Sequence, residues 1–137
     1  MTKVLFVCTG NSARSQMAEG FARTLGKEKV EASSAGMEPK GLNPFAVEVM
    51  REKGIDISGQ QSKGFSAELA RAMDCVITVC GNADARCPIL PPGVKRLHWP
   101  LEDPAQAKGS SEEVRAVFRG SRDDIERLVR EFLAGLK

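Results

Sequence analysis

The chain has no tyrosine, one tryptophan and one histidine, and aromatic residues of all kinds make up 5% of its 137 residues. No apolar run approaches the roughly 20 residues of a membrane span, and the chain is expected neither to cross a bilayer nor to be anchored in one. The N-terminal stretch from Met1 to Val7 runs straight into a strand-like pattern with no secretory cleavage region, and a cytoplasmic location is expected. Neither charge sign dominates: the net charge is +2, and the arginines near the C-terminus alternate with glutamates and aspartates. That alternation describes a solvated helix face, not a surface for nucleic acid. With 42% apolar and 28% charged residues, the composition fits one soluble domain over residues 1–137, expected to be a monomer. A chain of this length buries about two-thirds of its unfolded surface and needs no disulfide to fold. Its four cysteines therefore point to reactivity or metal before structural bridges.

Periodicity places a fully buried strand over Val4–Val7 and a helix over Ser15–Leu25, with Met17, Ala18, Phe21, Ala22 and Leu25 on one face. Val30–Ala35 reads as a weaker strand. Asn43 caps a helix that starts at Pro44, runs through Met50 and is ended by Gly54. Ser66–Ala72 reads as a short helix, Cys75–Val79 as a buried strand and Lys95–Trp99 as a fourth strand. Ser111–Leu133 is helical, with Val114, Val117, Phe118, Ile125, Leu128, Val129 and Phe132 on one stripe. Strands alternating with helices predict an α/β fold, a four-stranded parallel sheet flanked by helices. In such sheets ligands bind at the carboxyl ends of the strands, where two cysteines fall.

A cysteine followed six residues later by arginine occurs twice: Cys8-Thr-Gly-Asn-Ser-Ala-Arg14 after the first strand, and Cys80-Gly-Asn-Ala-Asp-Ala-Arg86 after the third. A loop that curls around a tetrahedral oxyanion points backbone N–H groups inward, needs small residues and gains from a helix N-terminus behind it. The first loop meets each demand. Thr9, Gly10, Ser12 and Ala13 are small, Asn11 completes the turn, and Arg14 brings a planar fork for two oxygens. Ser15 opens the helix and is placed to hydrogen-bond a Cys8 thiolate, which the helix dipole also stabilises. The second loop would put Asp84 among an anion's ligands and has no long amphipathic helix behind it, so Cys80 is rejected as the oxyanion-site nucleophile.

That second stretch carries Cys87, followed by Pro88, and reads as a short polar loop able to bring Cys80 and Cys87 together as a redox pair. Zinc is the rival reading, but the pair lacks C-x2-C spacing and His98 is the only histidine; no metal or other cofactor is expected. Cys75, inside a strand pattern, reads as core. Asp103, stiffened by Pro104, is a turn residue on its own and a candidate general acid in company with the Cys8 loop.

The stretches VCTGNSARSQMAEG, SSAGMEPKGLNP, GIDISGQQS, VITVCGNADARCPILPP and HWPLEDPA resemble the thioredoxin-coupled arsenate reductases of the low-molecular-weight protein tyrosine phosphatase fold, from Lys3 to Ala105. The resemblance implies that Cys8 attacks arsenate held by Thr9–Ala13 and Arg14, while Asp103 protonates the departing oxygen. It implies that Cys80 then attacks Cys8 and releases arsenite, that Cys87 attacks Cys80, and that thioredoxin reduces the resulting disulfide. Phosphate and sulfate are expected competitors. Some relatives hold potassium with residues matching Asn11, Ser34, Gln61 and Lys63; here a lysine replaces an aspartate, and its ammonium is read as supplying the ion's charge beside Asn11 and Ser34.

A phosphotyrosine phosphatase using Cys8, Arg14 and Asp103 is the main alternative. The resembling phosphatases follow Asp-Pro with aromatic residues that sandwich a phenyl ring, whereas Ala105-Gln106-Ala107 follows here. A non-catalytic arsenite or metal sensor would need no Arg14 loop and would carry a basic DNA-reading helix, which is missing.

Overall fold

Val4, Leu5, Phe6 and Val7 lose all contact with solvent because β1 (Thr2–Cys8) runs through the middle of a sheet covered on both faces. The computed structural model describes residues 1–136. β1 pairs in parallel with β2 (Val30–Gly36) on one side and with β3 (Cys75–Thr78) on the other, and β4 (Lys95–His98) lies beyond β3. The order β2-β1-β3-β4 means the chain leaves β1 toward one edge and later returns to fill the other. The carboxyl ends of β1 and β3 therefore flank the switch point of an open α/β sheet, where a crevice forms.

Helix α1 (Arg14–Leu25) packs on β1, β2 and the long helix α5 (Ser111–Ala134), and α2 (Pro44–Arg51) packs on α5. α1 is apolar on one face only, yet Ser15, Gln16 and Glu19 are buried with Met17, Ala18 and Phe21, because the site wraps its first turns. Asn43 caps α2 through a Phe45 N–H bond of 2.8 Å, and Gly54, at a φ of 76°, turns the chain out of it. α3 (Ala67–Arg71) is capped by Ser66, and Ser110 and Glu113 form a capping box on α5. The α5 stripe buries Phe118, Ile125, Val129 and Leu133. Val117 departs from the expectation and is 46% exposed. Arg122, outside the expected stripe, is buried, and its Nη1 donates to the Val49 carbonyl and to Glu52 Oε1. No helix among the described residues is long and apolar enough to cross a membrane.

The largest difference from the sequence reading lies after β3. Gly81–Arg86 is a helix, α4, with Cys80 as its N-cap, not a loop. It is too short to show a periodic apolar face, and only Ala83 in it is buried.

Candidate active site

Residues 8–14 form a closed turn between β1 and α1, and the direction of its peptide groups follows from where its carbonyls go. The carbonyls of Cys8, Thr9, Gly10 and Ser12 accept N–H bonds from Met37, Glu38, Lys40 and Asn43 at 2.8 to 3.1 Å. With carbonyls tied outward, the N–H groups of Gly10, Ser12, Ala13 and Arg14 turn into the crevice, and among the described residues none of them meets a protein acceptor. α1 has no side-chain cap at Ala13, so its first-turn N–H groups add to the same concavity. Gly36 makes this closeness possible: a Cβ there would lie 2.7 Å from the Asn11 nitrogen and 2.8 Å from the Thr9 oxygen.

Asn11 sits at a φ of 46° and is fully buried. Asparagine tolerates this left-handed conformation, and here its side chain is fixed on both sides. Its Oδ1 accepts the Lys63 N–H at 2.8 Å and Gln16 Nε2 at 3.2 Å, so its Nδ2 donates to Ser15 Oγ at 2.8 Å. The Ser15 hydroxyl proton is then free to point at Cys8 Sγ, 2.9 Å away, and the Asn11 N–H points at the same sulfur from 3.1 Å. Two donors are thus aimed at one sulfur. Cys8 is 2% exposed, at the floor of a crevice of about 380 Å³ lined also by Thr9, Ser12, Arg14, Lys40, Asn82 and Asp103.

Arg14 reaches across to the loop after β4. Its Nη1 donates to the Leu101 carbonyl at 3.1 Å and its Nη2 lies 3.7 Å from Asp103 Oδ2. Asp103 Oδ1 accepts the Ala105 N–H at 3.0 Å and caps a single 3-10 turn, Pro104–Gln106. One edge of the carboxylate is held and the other faces the crevice. This arrangement can grip a tetrahedral oxyanion by backbone and guanidinium, attack it from below with sulfur, and deliver a proton from the rim.

Cys80 arrives from the neighbouring strand. Val7 pairs with Thr78, and the Val79 N–H donates to the Val7 carbonyl at 2.8 Å, so Cys80 leaves the sheet beside the Cys8 loop. Its sulfur meets the Ala83 N–H and Thr9 Oγ1, both at 3.3 Å. Cys87 closes α4 at its far end, 8% exposed, and burial raises its thiol pKa. Cys75 lies within β3, and desolvation pushes its thiol up to about 11, which agrees with a core role.

Several expectations need correction. Asp84 turns away from the crevice to Thr78 and Arg96. Lys63 is exposed and meets Asn11 through its backbone N–H, not its ammonium. Gln61 likewise contributes only a carbonyl, to Gln16 Nε2. The cation near Ser34 is Arg23: it pairs with the buried Glu19, whose Oε1 accepts the Ser34 hydroxyl proton at 2.6 Å. Both acceptor directions of Asn11 Oδ1 are also used, so these groups satisfy one another and do not fit a potassium ion. The crevice residues Lys40 and Asn82 were invisible to sequence reasoning, because nothing local marks a lysine or an asparagine that reaches a site through tertiary contacts.

A family model described as low molecular weight phosphotyrosine protein phosphatase matches residues 3–137. The chain belongs to that family. Within it, the chain is 48% identical over 129 residues to the arsenate reductase of Bacillus subtilis, covering 94% of this chain and 93% of that protein. A solved structure described as an arsenate reductase in the phosphate binding state superposes with a TM-score of 0.78 at 40% identity, covering all of both chains. A low molecular weight protein tyrosine phosphatase from T. tengcongensis superposes with a TM-score of 0.81 at 27% identity, over 99% of this chain and 100% of that one. The family's four parallel strands and flanking helices are those described above.

Proposed function

We propose that this protein reduces arsenate to arsenite through three thiols, with thioredoxin as the final electron donor. The observation that carries the reading is Cys80, held by Thr9 against the Cys8 loop, with Cys87 at the other end of the same helix. A phosphatase needs the first thiol and has no use for the other two.

The chemistry follows in three exchanges. The Cys8 thiolate attacks arsenic in an arsenate held by the loop N–H groups and Arg14; Asp103 protonates the oxygen that departs as water, leaving a Cys8–arsenic(V) bond. The Cys80 thiolate then attacks Cys8 Sγ. The sulfur–arsenic electron pair goes to arsenic, arsenite leaves, and a Cys8–Cys80 disulfide forms. Cys87 attacks Cys80 Sγ, which frees Cys8 and leaves a Cys80–Cys87 disulfide that thioredoxin reduces with two electrons. That exchange requires α4 to unwind: the six helical residues between the two cysteines, at about 1.5 Å per step, hold them about 10 Å apart, beyond the roughly 7 Å limit of a disulfide. The account needs one copy of the chain, and phosphate and sulfate compete for the same loop.

The test is arsenate-dependent NADPH oxidation with thioredoxin and thioredoxin reductase, set beside hydrolysis of p-nitrophenyl phosphate by the same sample. Sustained NADPH oxidation is expected. Phosphate ester hydrolysis without arsenate turnover would favour the phosphatase reading, which shares Cys8, Arg14 and Asp103.

A further inference from the structure

Arg96 stands on β4, opposite Val76, and reaches the C-terminal end of α4. Its Nη2 donates to the Asp84 carbonyl at 2.6 Å and to Asp84 Oδ1 at 3.1 Å; its Nη1 donates to the Pro88 carbonyl at 3.2 Å and the Cys87 carbonyl at 3.4 Å. One guanidinium thus holds the last turn of the helix, the backbone of Cys87 and the residue after it. We propose that Arg96 is a clasp that keeps Cys87 docked and α4 wound, and that its release sets how fast Cys87 can reach Cys80; the second half of the statement rests on the three-thiol reading above.

A helix of six residues is far below the length that holds itself together in water, so its contacts decide whether it is wound. At its C-terminus there is no glycine cap: Cys87 is extended, and Arg96 satisfies the carbonyls that such an end leaves bare. Asp84 is fixed from below as well. The fully buried Thr78 donates its single hydroxyl proton to Asp84 Oδ1 at 2.9 Å, which leaves the Thr78 oxygen to accept from His98 Nδ1, also at 2.9 Å. The clasp therefore closes on a carboxylate already anchored to the sheet. Arg96 touches neither the crevice nor any reacting sulfur, and acts through the segment as a positioning residue.

Charge and clasp act on Cys87 in opposite directions. The Arg96 cation lowers the Cys87 pKa against the rise from burial, so its loss by itself leaves less thiolate and slows alkylation. Loss of the clasp exposes the thiol and speeds it. The experiment is alkylation of the reduced full-length protein with iodoacetamide from pH 7 to 9, each cysteine followed by peptide mass spectrometry.

In Arg96→Ala, Cys87 should be modified roughly five- to tenfold faster than in wild type, as the loss of a few partly exposed charge-assisted bonds implies. Arg96→Lys should fall between, and Cys75 should stay unmodified in all. Unchanged or slower modification of Cys87 overturns the clasp. Where Arg96→Ala also exposes Cys75, Asp84→Asn decides: faster labelling confined to Cys87 supports the clasp, and none overturns it. These measurements use no arsenate, so failure of wild-type arsenate turnover would remove the function without touching the clasp.

Discussion

Thr9 Oγ1 lies 3.3 Å from Cys80 Sγ and accepts a hydrogen bond from Asn82 Nδ2 at 2.9 Å. Its hydroxyl proton is thereby left for the sulfur, and a residue of the oxyanion loop holds the second thiol. Thr9→Val should slow arsenite release about tenfold, the worth of one hydrogen bond to a developing thiolate, while p-nitrophenyl phosphate hydrolysis stays within about twofold. Single-turnover arsenite release measured beside phosphatase rates checks this. Equal losses in both would place Thr9 in anion binding alone.

Asp103 is argued to protonate a departing oxygen. Asp103→Asn keeps the shape and the bond to the Ala105 N–H but has no proton to give. Its hydrolysis of phenyl phosphate should fall far more than that of p-nitrophenyl phosphate, whose leaving group departs readily as the anion. Leaving-group dependence of the rate is the measurement, and equal slowing would reduce Asp103 to a turn residue.

Glu52 joins α2 to α5 through Arg119, at 3.0 and 2.8 Å, and through Arg122 at 2.8 Å. The bond to Arg119 leads, with Arg122 adding to it, in lowering its pKa from 4.5 to about 2. A carboxylate with a depressed folded pKa stabilises above its unfolded value and loses that contribution as pH falls through the folded one. The difference in Tm between wild type and Glu52→Gln should be full at pH 6, shrink between about 4.5 and 2, and vanish below. A difference that persists unchanged to pH 2 would contradict this.

With Arg23 on Glu19, thermal stability and arsenate affinity should be the same in potassium and sodium chloride at equal ionic strength. Arg23→Gln leaves the Glu19 carboxylate, 4% exposed, without its cation and should lower stability by about 1–2 kcal/mol, the partial exposure of Arg23 moderating the loss. Melting curves of both proteins in the two salts test it. A potassium preference in the wild type would show that an ion displaces Arg23.

What could be read without coordinates was whatever a local pattern carries. The unbroken apolar run of β1, the capped start of α2 and the small residues between Cys8 and Arg14 each state their structure within a few positions. The outward carbonyl ties from Met37, Glu38, Lys40 and Asn43 are backbone bonds that impose little on side-chain identity, so the half of the crevice they build left no trace. α4 escaped because its six residues owe their winding to Thr9, Glu38, Thr78 and Arg96, which lie elsewhere in the chain. Lys63 was misread because alignment places a residue, not its side chain: the Asn11 pocket takes its N–H, and the charge comes from a neighbour on α1.

The central claim is the order of sulfur attack, and Cys87→Ser isolates it. Given excess arsenate and no external reductant, this variant should release one equivalent of arsenite per chain and stop, with peptide mapping finding Cys8 joined to Cys80. Cycling with thioredoxin at the wild-type rate, or reduction of arsenate with Cys8 and Cys80 both still free, would contradict the account.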